Sequence, residues 1–168
     1  AAQLAVAAQA VSEASLFCRI SFPPTDGLGV YLLAQFPANP DSGWLDLDIY
    51  TGSRLLYAGV DLAESGNLNL RSGSATYTEM VPALTNPLYA AGRWVLLKLV
   101  VDLVNNAYAK VLANTDVVVP TSPALASVAN TDTPHLDLTL HSIQLGGLVA
   151  YQITIGAVIV TYDEPIAA

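Results

Sequence analysis

From Ser15 onward, apolar and polar residues alternate with a period of two. Leu16, Cys18, Ile20 and Phe22 point one way, and Phe17, Arg19 and Ser21 point the other. Pro23-Pro24 ends the run. From Leu28 to Phe36 the alternation sets Leu28, Val30, Leu32, Ala34 and Phe36 against Gly29, Tyr31, Leu33 and Gln35. Both of these faces are largely apolar, which predicts a central strand. Trp44 to Tyr50 places Leu45, Leu47 and Ile49 on one face and Trp44, Asp46, Asp48 and Tyr50 on the other. The first face belongs to a core, the second to solvent or to a site.

Turn residues punctuate the remaining runs. Thr51-Gly52-Ser53 leads into Arg54 to Asp61 as the partner strand of a hairpin, and Ser65-Gly66-Asn67 and Ser72-Gly73-Ser74 bound two further short strands. Arg93 to Val104 is the strongest strand. Asn105-Asn106 turns it into Ala107 to Ala113, with Tyr108 and Lys110 expected on one face. Pro120, Pro123 and Pro134 bracket a loop rich in Thr, Ser and Ala, and the last third holds two long runs, Leu136 to Leu145 and Tyr151 to Tyr162, joined through Gly146-Gly147. The 10 prolines and 11 glycines lie largely between the runs, where strand chemistry wants them. No run after residue 15 has helical period. Ala1 to Ser12 is Ala-rich without a clear amphipathic face, so residues 1–14 are expected as a short helix or an extended arm, docked on the domain or on a neighbour. Residues 15–168 then form one all-β domain, a two-sheet antiparallel β-sandwich of the jelly-roll kind.

Composition narrows the partners. The chain has 168 residues, enough for a substantial core, and only 12% are charged, about half of the roughly 25% usual in soluble proteins. Much of the surface is therefore neutral, and a neutral surface invites cover by a neighbour. A formal charge of −8 repels phosphate backbones and anionic headgroups, so nucleic acid is excluded as a partner. Apolar runs of strand length argue against membrane insertion. Cys18, the single cysteine, is expected as a small buried apolar residue.

One family resemblance rests on particular residues. Gly92-Arg93-Trp94, Leu97-Lys98-Leu99-Val100-Val101-Asp102, Asn105-Asn106-Ala107-Tyr108 and Val111-Leu112-Ala113-Asn114 follow one another in an order that resembles the central hairpin of concanavalin A-like, laminin G-like jelly rolls. Ile153 to Tyr162 is similar to the closing strand of such domains. The resemblance implies a double-sheet jelly roll in a superfamily that includes lectins, glycan-binding modules, glycosidases and virion or appendage proteins. Fold membership does not choose among them.

The chemistry-bearing residues narrow the choice. Asp46 and Asp48 share a strand face, as acids do in the glycosidases of that superfamily, but Tyr50 and Thr51 stand where a further acid is needed. Two adjacent aspartates do not provide a nucleophile and an acid in complementary environments, so catalysis is not expected. His135, Asp137, Thr139 and His141 form a one-face row without the three or four converging ligands that zinc usually takes. Calcium is the possible cofactor, with Asp102, Asn105 and Asn106 as candidate ligands. Trp44 and Tyr50, flanking Asp46 and Asp48, make the best sugar platform, aromatic faces beside hydrogen-bonding carboxylates. No nucleophile elbow, P-loop or dinucleotide fingerprint occurs. The leading expectation is a non-enzymatic structural or adhesive protein of an exterior assembly, at a virion surface or on a cell appendage, that self-associates as a homo-oligomer. The alternative is an extracellular carbohydrate-binding, lectin-like module that uses the Trp44 to Tyr50 face.

Overall fold

The computed structural model describes residues 2–6, 11–21, 26–35, 42–63, 68–80, 93–121, 124–145 and 151–163. All regular structure among them is strand: β1 (Ala2–Val6), β2 (Val11–Ile20), β3 (Gly27–Gln35), β4 (Ser42–Tyr50), β5 (Arg54–Ala63), β6 (Leu68–Arg71), β7 (Tyr77–Glu79), β8 (Trp94–Asp102), β9 (Ala107–Ala113), β10 (Asp116–Val118), β11 (Ala126–Ala129), β12 (His135–Leu145) and β13 (Tyr151–Tyr162).

Two antiparallel sheets result. One runs β1-β13-β3-β8-β9-β10. The other runs β2-β12-β4-β5-β6-β7, with β11 also paired to β5. The expected sandwich is thus present, with β3 central in its sheet between β13 and β8. The inward side chains of both sheets meet in one core. Leu28, Val30, Leu32, Leu97 and Leu99 from the first sheet face Leu45, Leu47, Ile49, Leu56, Leu136 and Leu138 from the second, all buried. Each such side chain contributes about 1.5–3 kcal/mol of burial. The β4–β5 hairpin closes where predicted, its turn fixed by hydrogen bonds between Thr51 and Arg54, with Gly52 at φ 88°.

Four features refine or correct the sequence expectation. Of the two conformations expected for the N-terminal arm, residues 2–6 and 11–14 take the extended one, β1 pairing β13 and β2 pairing β12. Alanine's helix propensity yields to the ladder hydrogen bonds that sheet edges offer. Cys18 is exposed, and β2 is the last strand of its sheet, with no described strand paired on its far side. Part of the Thr/Ser/Ala-rich loop pairs as β11, against Arg54 to Tyr57.

The fourth feature lies on β9. Register there jumps from Val100↔Lys110 to Val101↔Tyr108, which leaves Ala109 as an extra residue. This bulge breaks the alternation, so Tyr108 turns into the core while Lys110 stays on the half-buried outer side, and the two do not share a face.

Candidate functional site

Among the described residues, a set of polar side chains gathers on the outward face of the β2–β12–β4–β5–β6 sheet. Register sets them in rows across the strands. Arg19, Asp137, Asp48 and Tyr57 lie in one row, and Phe17, Thr139, Asp46 and Gly59 in the next. His141, Trp44, Asp61 and Asn69 make a third. The alternation that buries Leu45, Leu47 and Ile49 necessarily turns Asp46, Asp48 and Tyr50 outward.

Gly59 lets these rows pack closely. A Cβ at that position would stand 2.5 Å from the Leu45 carbonyl oxygen and 2.9 Å from Asp46 Oδ1. A side chain there would displace the Asp46 carboxylate.

Arg71, at the end of β6, organises the centre of the face and is itself only 5% exposed. Its Nη1 donates to Asp48 Oδ1 at 2.6 Å, its Nη2 to the Ser74 carbonyl at 2.7 Å and its Nε to the Gly73 carbonyl at 3.1 Å. Asp46 Oδ1 lies 3.6 Å from Nε, and the guanidinium carbon stands 4.9 Å from the centre of the Tyr57 ring. One planar cation thus holds a carboxylate, a loop and an aromatic ring in fixed relation. Tyr77 Oη donates to Asp46 Oδ1 at 2.5 Å, and Asn69 Nδ2 to Asp61 Oδ2 at 3.1 Å. Burial raises the Asp46 carboxyl above the ordinary aspartate range, against the opposing effects of the Tyr77 hydrogen bond and Arg71. Asp61 is raised by burial too, and Tyr77 is pushed up by burial and by its bond to Asp46.

Toward the β4–β5 turn, the same face carries a second cluster. Arg19 grips Asp137 with two bonds, Nε to Oδ1 at 2.7 Å and Nη2 to Oδ2 at 2.6 Å. That hydrogen-bonded cation holds the Asp137 carboxyl below its usual range. Tyr50 and His135 stack with ring centres 3.9 Å apart and planes 12° from parallel. The two rings and Arg19 border an open recess of about 500 Å³.

Of the residues singled out as a sugar platform, Asp46, Asp48 and Tyr50 are brought to one face. Trp44 occupies the β4 position paired with Asp61 and His141, and its side chain lies outside the described residues. Each aspartate already holds one partner through Oδ1, Asp48 from Arg71 and Asp46 from Tyr77, while the Asp48 side chain is about a third exposed. The His135, Asp137, Thr139, His141 row is present on β12. No group of three or more His, Cys, Asp or Glu among the described residues is arranged to hold a metal ion. Asp102 and Asn105 do come together, with Asn106 following at φ 52°. There Asp102 Oδ1 accepts the Val104 and Asn105 amides, and Oδ2 accepts Asn105 Nδ2 at 2.7 Å. Burial opposes the charge, but these three donors lower the Asp102 carboxyl below its ordinary range. As arranged, Asp102 and Asn105 close a hydrogen-bonded turn, with both Asp102 oxygens taken by donors of the turn itself.

Sequence reasoning missed Arg71, the organising residue. Its only signal was an arginine ending an alternating Leu-Asn-Leu-Arg run just before a Ser-Gly-Ser loop.

No family model matches the chain, and no curated protein matches it by sequence. Solved structures do match by shape. A legume lectin-like domain from Entamoeba histolytica superposes with a TM-score of 0.60 at 7% identity, over 95% of this chain and 82% of that one. The Emp47p carbohydrate recognition domain gives 0.61 at 9% identity, with the same coverage. A tetrameric galectin from the ball sponge Cinachyrella sp. gives 0.51 at 17% identity, over 88% of this chain and all of that one. The fold is a concanavalin A-like, lectin-type jelly roll. In this concanavalin A-like jelly roll the two outward faces differ in kind. One bears the carboxylate, guanidinium and aromatic network just described. The other exposes Trp94, Leu96 and Ile159.

Proposed function

We propose that the chain is a non-enzymatic glycan-binding module whose ligand lies on the outward face of β12, β4, β5 and β6. The observation that carries this reading is the Arg71 cluster. It presents Asp48, still about a third exposed, beside the Tyr57 ring in a fixed arrangement. Sugar recognition wants that pairing, a hydroxyl acceptor next to an aromatic surface, held in place before the ligand arrives. The matched structures are named as lectin-like, carbohydrate-recognition and galectin domains, which supports the same class. An extracellular setting, where glycans are displayed, goes with it. The test is a glycan array with the intact chain, followed by calorimetry with the best ligand. Asp48→Asn and Tyr57→Ala are expected to weaken binding at least tenfold. An array without any specific ligand would overturn the proposal.

Self-association is a second reading, favoured by the opposite face. Trp94 and Leu96 are 45% and 39% exposed on β8, Ile159 is 54% exposed on β13 across β3, and Val117 is 60% exposed on β10. Among the described residues, the only carboxylate at an outward position of β3, β8, β9 and β13 is Asp102, which is buried in its turn. In a chain of net charge −8, two copies that meet there do not bring carboxylates against carboxylates. This reading is compatible with glycan binding, since the two faces are separate.

A further inference from the structure

We infer that the recess bordered by Arg19, Ser21, Tyr50, Asp132, Thr133 and His135 is the subsite for one neutral pyranose ring of the ligand. The inference rests on the glycan-binding reading and goes beyond it by naming the place and the chemical class.

At the centre of the face one oxygen of each aspartate is taken, Asp48 Oδ1 by Arg71 and Asp46 Oδ1 by Tyr77. The recess is different. Its volume of about 500 Å³ falls in the 300–1,000 Å³ range of small-molecule sites. Its walls are rigid. The Tyr50 and His135 rings are stacked, and Arg19 is locked to Asp137 through two hydrogen bonds. His135 Nδ1 lies 2.6 Å from the Thr133 carbonyl oxygen, an acceptor, so Nδ1 carries a proton. His135 Nε2 is buried, has no hydrogen-bond partner among the described residues and stands 3.5 Å from Asp137 Oδ2. An unsatisfied buried polar atom of this kind is uncommon and marks an unfinished network.

Charge selects the ligand class. Asp137 uses Nε and one N–H of Nη2, which leaves three of the five guanidinium N–H groups of Arg19 as donors on a side chain that is 56% exposed. Its positive charge is nevertheless neutralised by Asp137, and Asp132 adds a carboxylate to the rim. A carboxylated or sulfated sugar meets a site of net negative charge in a chain of net charge −8. A neutral ring does not. One of its hydroxyls accepts from Arg19 and a neighbouring one donates to Asp132, while Ser21 and Thr133 supply hydroxyls that both donate and accept.

The test uses an array carrying neutral hexose- and N-acetylhexosamine-terminated glycans beside sialylated, uronated and sulfated ones, with calorimetry on the best binder. Ser21→Trp and Thr133→Trp fill the recess from two directions. Thr115→Trp, in the exposed turn after β9, is the control. Thermal melts confirm that each variant is folded. The expected result is selection of neutral glycans by the unaltered chain, a loss of at least tenfold in both filled variants, and no change in the control. Undiminished binding in the filled variants, or a preference for acidic glycans, overturns this inference alone. No glycan bound by the unaltered chain overturns the parent reading and this one together.

Discussion

The hydroxyl of Tyr108 stands 3.0 Å from the amide nitrogen of Gly59 and 2.7 Å from the carbonyl oxygen of Arg71, so a side chain of one sheet completes the backbone hydrogen bonding of the other. At this level β5 changes neighbours. Val60 to Leu62 pair with β6, and Arg54 to Tyr57 pair with β11. Gly59 falls between the two ladders, and its N–H finds the Tyr108 oxygen instead. Burial raises the Tyr108 hydroxyl well above the ordinary tyrosine range, so it stays protonated and donates to Arg71 O. The end of β6, from which Arg71 reaches across the outer face, is therefore anchored from inside the core. Tyr108→Phe is expected to destabilise the fold by roughly 1–3 kcal/mol, because both backbone groups lose a buried partner. Urea denaturation measures the loss, and calorimetry should show weaker glycan binding as β6 loosens.

Arg71→Ala removes the cation that Asp48, Gly73 and Ser74 share. Because Asp48 is about a third exposed and is rehydrated when the cation is gone, the cost is expected to fall below the roughly 3–5 kcal/mol of a fully buried pair broken from one side. Arg71→Lys is expected to recover only part of that, since an ammonium cannot reproduce the planar fork. Chemical denaturation of both variants checks the order.

Gly59→Ala tests the close approach of β5 to β4. The added methyl collides with the Leu45 carbonyl and the Asp46 carboxylate, which is expected to cost about 1–3 kcal/mol. A substitution as stable as the parent, judged by its melting temperature, would mean that the strands tolerate a wider spacing than described.

The carboxylates differ in how they respond to pH. Asp137 has a depressed pKa in the fold, so its contribution is fully present above the unfolded value of about 3.9 and is lost as pH falls through the lower folded value. The melting-temperature gap between the parent and Asp137→Asn should be widest near neutrality and close in acid below about pH 4. Asp46 has the opposite sign. Burial raises its folded pKa, so its charge is a net cost at neutral pH, and protonation on acidification favours the fold. Asp46→Asn is accordingly expected to be milder than Asp137→Asn at pH 7, and melts across pH 3 to 8 report both.

On the apolar face, Trp94→Lys with Ile159→Lys should leave the melting temperature nearly unchanged, because both side chains are about half exposed. Light scattering coupled to size exclusion should show an oligomer for the parent and a monomer for the double variant. A parent that is monomeric at high concentration removes the self-association reading.

The period-two pattern by itself determined the strands with strong alternation, β3, β4, β5, β8, β12 and β13, and with them the inward row Leu45, Leu47, Ile49 and the outward set Asp46, Asp48, Tyr50. Side-chain direction in a strand follows from local geometry alone, so one stretch of sequence suffices. Long-range pairing decided the rest. Whether Cys18 is covered depends on β2 being an edge, and edge position is a property of the sheet order. The strands β1 and β11 exist because β13 and β5 offer them unpaired backbone. Tyr108 faces inward only because Ala109 bulges, and a bulge is invisible to a rule of strict alternation. Arg71 and Asp48 lie 23 positions apart in the chain yet share a hydrogen bond. The sequence carried the residues of the site, but only the packed sheets brought its cation, carboxylates and rings within reach of one another.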